Sequence, residues 1–282
     1  MRYVVLGGHG MLGRDLTEAL AGRDVLSLGR GDLDVTDADA VRDAVAGAGA
    51  VVNAAAYTRV DDAESDEATA TAVNATGAGN AAAAAAATGA AFVQVSTDYV
   101  FDGSATTPYP EDAPLAPIGV YGRTKAEGER LVRARHPSPF IVRTAYLYGE
   151  HGTSFPRTML RLAAERETLD VVTDQIGQPT WTADLAAAIV GLLDAGAPAG
   201  VYHGTNSGQA SWFDFARATF ELAGLDPERV HPTTSAAFVR PAPRPAYSVL
   251  GHEAWGRAGL PAPRPWRDAL ADAFERGALS RP

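Results

Sequence analysis

The sequence Tyr3-Val4-Val5-Leu6-Gly7-Gly8-His9-Gly10-Met11-Leu12-Gly13 decides the expected fold of this chain. Tyr3–Leu6 has the apolar character of a buried strand, and a helical pattern follows the glycines through Leu20. Glycines in a strand-to-helix turn allow backbone N–H groups to approach a pyrophosphate, which sits at the positive end of the helix. A bare glycine-rich turn is the simpler alternative, but the preceding strand favours a dinucleotide site. We expect cofactor contacts from Gly7, Gly10, Met11 and Leu12.

Strands and helices alternate regularly beyond this turn. The predicted strands are Val25–Leu28, Val51–Asn53, Phe92–Val95 and Phe140–Arg143, and the predicted helices are Asp37–Ala46, Glu64–Thr88 and one that begins near Tyr121. Seven consecutive alanines at 81–87 favour a close-packed helix over a flexible linker. This order predicts an α/β protein with a doubly wound parallel sheet of the Rossmann type, in which ligands bind at the carboxyl ends of the strands.

The part of the chain past Gly149 has a different pattern and no second glycine fingerprint. Its predicted elements are the helices Phe155–Arg166, Thr182–Leu193, Trp212–Leu222 and one from Trp266, with short strands at Asp170–Val172 and Val201–His203. We expect residues 1–150 to form an NAD(P)-binding Rossmann core that 170–204 rejoin. Residues 151–169 and 205–282 then form a smaller C-terminal, substrate-binding α/β part.

Composition limits the classes of function. The chain of 282 residues has no cysteine, which excludes disulfides, thiolate metal sites and cysteine nucleophiles. Its formal net charge of −10 argues against a nucleic-acid surface, which would normally show a basic face. No apolar run is long enough for a signal-peptide core or a membrane span. We therefore expect a cytoplasmic protein with no nucleic-acid or membrane partner.

The end of the second strand bears on the choice of cofactor. Arg30 stands where an NAD-selective site often places an acid, and it could meet a 2′-phosphate, which leans toward NADPH. Acidic residues lie close by, and an arginine at such a position is more often simply exposed to solvent. NADH therefore remains the alternative cofactor. The small residues after the third strand let a flat ring or a ribose pack against backbone. Further cofactor contacts are expected from Asp34, Val35, Ala54, Ala55, Ala56 and Tyr57.

A second constellation follows the fourth strand. The hydroxyl of Thr97 comes at the strand end, and Tyr121 and Lys125 are four residues apart, so that a helix places them on one face. A buried ammonium beside a phenol favours the phenolate, which lowers the tyrosine pKa from about 10 and suits Tyr121 to act as a general acid. The spacing alone also occurs on exposed helix faces. Its meaning therefore depends on the cofactor site upstream.

Five blocks in the same order make the chain resemble a known family. They are Gly7-x-x-Gly10-x-x-Gly13, Val52–Ala56, Ser96–Phe101, Asp174–Thr180 and Arg244-Pro245-x-x-Ser248-x-Leu250. With these blocks the chain resembles the extended short-chain dehydrogenase/reductases, and within them the dTDP-4-dehydrorhamnose reductase group. The resemblance spans essentially the whole chain.

The resemblance implies NAD(P)H-dependent reduction of the C4 ketone of a dTDP-linked 4-keto-6-deoxyhexose, above all of dTDP-4-dehydro-L-rhamnose to dTDP-L-rhamnose. Tyr121 would protonate the developing alkoxide, Lys125 would lower the tyrosine pKa and hold the nicotinamide ribose, and Thr97 would hydrogen-bond the carbonyl oxygen. Related dehydratases usually carry Asp-Glu after the threonine, whereas this chain has Asp98-Tyr99. The missing second carboxyl favours reduction over dehydration.

The resemblance also implies a set of substrate contacts. Thr97 and Asp98 belong to the substrate site, and Val60, Tyr99 and Tyr146 are candidates for the sugar pocket. Arg244 and Trp181 could meet the nucleotide part, although an exposed arginine and a core tryptophan fit these two residues equally well. Tyr146 stands where a tryptophan is often found, which leaves the particular sugar open.

Three further expectations concern metals, assembly and alternative functions. Asp15 matches one acidic position of a metal-linked dimer contact found in some family members, but Ala183 stands where a second acid would be, so we predict no metal. A homodimer is the family expectation. The alternatives are a reductase of another dTDP-4-keto-deoxysugar in natural-product glycosylation, or a non-catalytic regulatory subunit. The presence of Thr97, Tyr121 and Lys125 argues against the regulatory subunit.

Overall fold

A six-stranded parallel sheet forms the centre of the computed structural model, which describes residues 1–279. The strands are β1 (Arg2–Leu6), β2 (Asp24–Leu28), β3 (Ala50–Asn53), β4 (Ala91–Thr97), β5 (Phe140–Thr144), β6 (Leu147–Tyr148), β7 (Leu169–Val172), β8 (Ile176–Gly177), β9 (Thr180–Trp181), β10 (Gly200–His203), β11 (Ala210–Ser211) and β12 (Val230–Thr233). The helices are α1 (Met11–Ala19), α2 (Ala38–Ala44), α3 (Val60–Ala63), α4 (Glu67–Thr71), α5 (Ala78–Thr88), α6 (Val120–Arg135), α7 (Phe155–Glu165), α8 (Thr182–Asp194), α9 (Trp212–Leu222), α10 (Glu253–Arg257) and α11 (Trp266–Glu275).

The strand order of the large sheet is β10-β5-β4-β3-β1-β2, and every neighbouring pair is parallel. The direction of winding reverses between β1 and β3, and the carboxyl ends of the strands flank a crevice there. This topology confirms the predicted doubly wound Rossmann-type sheet. It also fixes where the glycine-rich turn after β1 must lie, which is at the reversal point.

Alternate side chains of β1 enter two different helical layers. Tyr3 and Val5 pack in the core on the side of α1 and α8. Val4 and Leu6 pack on the other side, against α2 and α5. A strand that is covered on both faces must be apolar at every position. For this reason Tyr3–Leu6 is an unbroken apolar run rather than an alternating one.

The alanine-rich helix α5 packs closely on the sheet, as its composition predicts. Ala81, Ala82 and Ala85 are completely buried in the core that also contains Phe92 of β4. A methyl group is small enough to let the helix backbone approach the strands, and alanine has the highest helix propensity. The alanine run is therefore a packing surface and not a linker.

The helical pattern predicted over Glu64–Thr88 is confirmed from Glu67 to Thr88, but this stretch is not one regular α-helix. The chain instead forms α3 and α4, then a π-helical segment at Ala72–Gly77, and only then α5. Within the π segment the side chain of Asn74 accepts a hydrogen bond from the Tyr57 backbone N–H (2.8 Å) and donates to the Tyr57 carbonyl (3.1 Å) and the Thr124 hydroxyl (3.0 Å). The widened turn thus ties the loop after β3 to α6. Such turns are common at functional sites.

The C-terminal part consists of short two-stranded pairings and helices beside the large sheet. β7 pairs with β12, β8 with β11 and β6 with β9, so the segment at Leu169–Val172 lies outside the large sheet. The chain returns to the core through α8, which packs beneath the sheet, and through the edge strand β10. The division into domains stays a prediction. Within residues 1–279 no helix has both the length and the apolar character needed to cross a bilayer.

Candidate active site

A cavity of about 1110 Å³ opens at the carboxyl ends of β1, β3, β4 and β5. It is continuous from the glycine-rich turn to the N-terminal turn of α6 and on to Tyr146 and Trp212. The residues expected in the site that line it are Gly7, Gly10, Met11, Leu12, Arg30, Asp34, Val35, Ala54, Ala55, Ala56, Tyr57, Val60, Thr97, Asp98, Tyr99, Tyr121, Lys125 and Tyr146. The fold therefore brings the predicted dinucleotide and substrate residues into one cleft.

The glycine-rich turn has the backbone form that a dinucleotide needs. Gly7 has φ +78°, and a Cβ there would lie 2.5 Å from the amide nitrogen of Ala55. A Cβ at Gly13 would overlap the carbonyl oxygen of Gly7, so this glycine lets α1 start directly against the turn. Gly10 caps α1 without a side-chain hydrogen bond, which leaves the first backbone N–H groups of the helix for a ligand. The residues present fit a bound pyrophosphate.

Arg30 and Asp34 lie at the end of the cavity beyond the glycine-rich turn. The carboxylate of Asp34 accepts hydrogen bonds from the backbone N–H (2.9 Å) and the hydroxyl (2.8 Å) of Thr36, and these hold the pKa of Asp34 below its usual value. The guanidinium of Arg30 is exposed at the cavity wall. A guanidinium binds an anionic 2′-phosphate more strongly than a neutral ribose hydroxyl.

Thr97, Tyr121 and Lys125 meet at the middle of the cavity. Thr97 ends β4, and Tyr121 lies in the first turn of α6, whose start is fixed by a hydrogen bond from the Val120 backbone N–H to Glu64 Oε1 (2.8 Å). The hydroxyls of Thr97 and Tyr121 are hydrogen-bonded. Lys125 lies one turn farther along α6, and its Nζ donates to the carbonyl oxygen of Val95 at 2.7 Å. The spacing predicted this convergence on one side of the helix.

The electrostatics of the pair differ from the expectation. Burial raises the pKa of Tyr121 to about 12, while its hydrogen bond with Thr97 acts in the opposite direction. Burial lowers the pKa of Lys125 to about 8, and the nearby charge of Glu129 opposes that shift. The prediction that Lys125 lowers the pKa of Tyr121 is therefore wrong for this arrangement, because the ammonium bonds the Val95 carbonyl and the phenol is desolvated. At neutral pH Tyr121 holds a proton that it can donate.

A buried ion pair fixes the strand ends beneath these residues. Glu129 of α6 accepts a hydrogen bond from Ser96 Oγ (2.6 Å) and pairs with both Nε (2.9 Å) and Nη2 (2.8 Å) of Arg143 on β5. Both charged side chains are almost completely buried. Breaking such a pair leaves an uncompensated buried charge, which is strongly destabilising. The pair therefore holds β4, β5 and α6 in register below Thr97.

Asp98 adds a buried carboxylate next to Thr97. It is 2% exposed, and it accepts hydrogen bonds from Thr97 Oγ1 (2.9 Å) and from Ser248 Oγ (2.5 Å). Burial raises the pKa of Asp98 to about 6, and the two hydroxyl hydrogen bonds oppose the shift. Ser248 belongs to the C-terminal Arg-Pro block. The carboxylate therefore connects that block to the end of β4.

Two stacked aromatic rings form the far wall of the cavity. Tyr146 has a left-handed backbone with φ +46°, and its ring stacks on Trp212 with centroids 3.8 Å apart and an interplanar angle of 12°. Trp212 donates its Nε1–H to Gln175 Oε1 at 3.1 Å. Gly177 leaves room for the tyrosine, since a Cβ there would lie 2.5 Å from Tyr146 Cζ. Trp212 was not among the site residues predicted from the sequence. The signal for it was an aromatic residue in the first turn of a predicted helix.

Trp181 and Arg244 do not line the cavity. Trp181 is 4% exposed and packs in the core of the C-terminal part, with Arg264 and Arg276 about its ring. Trp181 therefore cannot contact a nucleotide in this cavity, and the prediction of such a contact is wrong. The alternative prediction, a tryptophan of the core, is confirmed. Arg244 lies behind Tyr99, 5.9 Å from the ring centroid, and pairs with Asp61 at 2.9 Å. The substrate contact of Arg244 stays a prediction.

The expectation of no metal also stays a prediction. In the described part of the chain, no three histidine, aspartate or glutamate side chains are grouped so that they could hold a metal ion. Asp15 is buried, and burial raises its pKa. Ala183 packs against the C-terminal core.

The Rossmann-type sheet, the glycine-rich turn at its reversal point and the Thr97, Tyr121 and Lys125 group define the class of protein, which is an extended short-chain dehydrogenase/reductase. The family model described as the RmlD substrate binding domain matches residues 1–278. The chain belongs to this family.

Named relatives are similar over nearly the whole chain. A dTDP-4-dehydrorhamnose reductase of Streptomyces griseus is 52% identical, with 97% of this chain and 93% of the relative covered. A probable dTDP-4,6-dihydroxy-2-methyloxan-3-one 4-ketoreductase of Streptomyces antibioticus is 51% identical, with 97% and 95% covered. The crystal structure of dTDP-4-dehydrorhamnose reductase from Bacillus anthracis in complex with NADP is similar with a TM-score of 0.94 and 38% identity, covering 98% of this chain and 99% of that one.

Proposed function

We propose that this protein is an NAD(P)H-dependent reductase that converts the C4 ketone of a dTDP-linked 4-keto-6-deoxyhexose to an alcohol, with dTDP-4-dehydro-L-rhamnose as substrate and dTDP-L-rhamnose as product. The observation that carries the proposal is the convergence of Thr97, Tyr121 and Lys125 in a cavity that also contains the glycine-rich turn. The names of relatives that are about half identical over nearly the whole chain support the same reaction.

In the proposed mechanism, the bound nicotinamide cofactor supplies a hydride to C4. Tyr121 donates its phenolic proton to the oxygen of the former ketone, so that the product is a neutral alcohol. Lys125 carries a positive charge below its pKa of about 8, and its ammonium is suited to hold a ribose hydroxyl. Thr97 fixes the position of the carbonyl oxygen relative to Tyr121.

Reduction fits these residues better than dehydration. Eliminating water from a sugar requires an acid and a base, and related dehydratases supply them as adjacent carboxyls. In this chain the second position is Tyr99, and burial raises the pKa of that tyrosine far above neutrality. A neutral phenol cannot remove a proton from carbon at the working pH. The side chain instead lies edge-on to Tyr121, with ring centroids 5.7 Å apart.

We propose NADPH as the preferred cofactor, with NADH as the alternative. The exposed guanidinium of Arg30 at the cavity wall supports recognition of a 2′-phosphate. The similar structure from Bacillus anthracis was solved in complex with NADP, which supports the same choice.

The identity of the sugar is the least constrained part of the proposal. The two named relatives act on different keto sugars according to their names. A reductase of another dTDP-4-keto-deoxysugar, acting in natural-product glycosylation, is therefore the second candidate. The wall formed by Tyr146 and Trp212 is the part of the cavity that would distinguish them.

A direct assay tests the proposal. Purified protein is mixed with dTDP-4-dehydro-L-rhamnose, generated in a coupled reaction, and the absorbance of NADPH or NADH is followed. Turnover with either cofactor supports the reaction. If neither cofactor is oxidised with this sugar or with other dTDP-4-keto sugars, the reductase proposal fails and a regulatory subunit becomes the better account.

We also propose that the protein is a homodimer, as the family resemblance implies, and that it is cytoplasmic, as its composition favours. Light scattering on the purified protein tests the oligomeric state, and cell fractionation tests the location. A monomer at micromolar concentration contradicts the dimer.

A further inference from the structure

The hydroxyl of Thr97 has one proton, and the structure shows where that proton goes. Thr97 Oγ1 donates to Asp98 Oδ1 at 2.9 Å and accepts a hydrogen bond from the Tyr99 backbone N–H at 3.2 Å. A hydroxyl donates one hydrogen bond and accepts two. With its proton directed to Asp98, Thr97 offers the cavity only an oxygen lone pair.

This arrangement matters for a ketone in the cavity. A carbonyl oxygen accepts hydrogen bonds, and it needs donors most when negative charge develops on it. While the Thr97 proton points at Asp98, Tyr121 is the only one of these two residues whose hydroxyl can donate to the ketone oxygen. Thr97 can donate to the same oxygen only if Asp98 no longer accepts from it.

The surroundings of Asp98 determine whether that change can occur. On its own element the carboxyl faces Thr97 and Tyr99. Tyr121 approaches from α6, Tyr146 from the segment after β5, and Ser248 from the C-terminal block, where its Oγ donates to Asp98 Oδ2 at 2.5 Å.

No cation is hydrogen-bonded to this carboxyl in the described part of the chain. Arg244 lies over the Tyr99 ring and is paired with Asp61. Within residues 1–279, Asp98 has no ion pair with an arginine, a lysine or a histidine. A buried carboxyl without a paired cation is costly to ionise, and its pKa is raised to about 6.

We propose that Asp98 is a positioning residue that sets the direction of the Thr97 hydroxyl. As a carboxylate it accepts a hydrogen bond from the Thr97 hydroxyl, and as a carboxylic acid it donates a hydrogen bond to Thr97 Oγ1, so that the hydroxyl proton turns toward the ketone. Ser248 holds the other carboxyl oxygen in both forms. This inference rests on the proposed reductase function.

The two forms differ in the number of donors that face the ketone oxygen. With neutral Asp98, Tyr121 and Thr97 both donate to it, and with ionised Asp98 only Tyr121 of this pair does. A donor to a developing oxyanion contributes on the order of 100-fold to turnover. The value of kcat therefore rises by roughly tenfold or more as pH falls through the pKa of Asp98, while KM for the cofactor stays constant.

The test measures kcat and KM from pH 4.5 to 8.5 for the wild-type protein, Ser248→Ala and Asp98→Asn. A deuterated cofactor confirms that hydride transfer limits the rate. The hydrogen bond from Ser248 lowers the pKa of Asp98, so its loss raises that pKa and moves the acidic limb of the Ser248→Ala profile to higher pH. The Asp98→Asn profile has no such limb, because an amide does not titrate.

Each result bears on one proposal. A limb that vanishes in Asp98→Asn and moves to higher pH in Ser248→Ala supports the inference. A limb unchanged in Ser248→Ala, a wild-type profile that is flat below pH 7, or a limb that persists in Asp98→Asn contradicts it. If Asp98→Asn does not fold, the direction of the Ser248→Ala shift decides. A wild-type protein that oxidises neither cofactor with any dTDP-4-keto sugar contradicts the proposed function itself.

Discussion

The ammonium of Lys125 donates a 2.7 Å hydrogen bond to the carbonyl oxygen of Val95, at a point where the lysine is only 4% exposed. Lys125 is also the only lysine in the sequence. The side chain spans from α6 to the end of β4 and places a buried cation beneath the reaction centre. Several measurable properties follow from this relationship.

The pKa of Lys125 can be measured directly. Because the chain has one lysine, incorporation of ¹³Cε-lysine gives a single side-chain resonance whose shift reports the titration. We expect a pKa of about 8, since burial penalises the ammonium. A midpoint near 10.5, the value of an exposed lysine, would show that the ammonium is solvated in solution.

Replacing Lys125 by methionine is expected to increase the free energy of unfolding at pH 7. The folded-state pKa is depressed, so the unfolded chain binds the proton more tightly, and wild-type stability rises between about pH 8 and 10.5. Lys125→Met should gain about 3 kcal/mol at pH 7, and this gain should shrink across that window. Urea unfolding of both proteins at several pH values measures the difference. A constant difference from pH 7 to 10.5 would rule out this explanation.

Arg30→Ala is expected to weaken NADPH binding by about tenfold and NADH binding much less, because only the former carries a 2′-phosphate. Arg42→Ala is the matched control, since Arg42 is an exposed arginine that pairs with Asp39 outside the cavity. Titration of both cofactors by calorimetry measures the ratio. Equal losses for NADPH and NADH would show that Arg30 does not recognise the 2′-phosphate.

Gly177→Ala is expected to disturb the sugar end of the cavity and not the cofactor end. Its new Cβ would press on the Tyr146 ring, which must move against Trp212. We expect KM for the sugar to rise several-fold while the Kd for NADPH is unchanged. Gly191→Ala on α8 is the control, because a Cβ at that position meets nothing within 4 Å. An unaltered KM for the sugar would place the substrate elsewhere.

The sequence predicted the sheet and most of the elements around the cavity because their residues carry local signals. Tyr3–Leu6 is apolar at every position because both faces of the strand are covered. In the turn that follows, a Cβ at Gly7 or Gly13 would collide with neighbouring backbone atoms. The pairing of Tyr121 with Lys125 follows from helix spacing alone. Such features depend on neighbours in the chain or on one strong steric constraint.

The features that were missed depend on long-range contacts. Asn74 lies in a π-helical turn that lets its side chain bond Tyr57 and Thr124. The spacing of apolar residues in the sequence does not reveal such a turn. The stacking of Tyr146 on Trp212 depends on a left-handed backbone at a residue with a Cβ, which is uncommon. The pKa of Tyr121 depends on burial, and burial is known only from the fold.

The central claim is that Tyr121 donates the proton that completes reduction of a ketone. The most direct measurement is turnover of dTDP-4-dehydro-L-rhamnose with NADPH by Tyr121→Phe, which keeps the ring and removes the acidic hydroxyl. Tyr247→Phe serves as control, because that hydroxyl bonds Gln209 outside the cavity. We expect kcat to fall roughly 100-fold or more in Tyr121→Phe, with NADPH affinity retained, and to stay near the wild-type value in Tyr247→Phe. Wild-type turnover in a folded Tyr121→Phe protein would contradict the account.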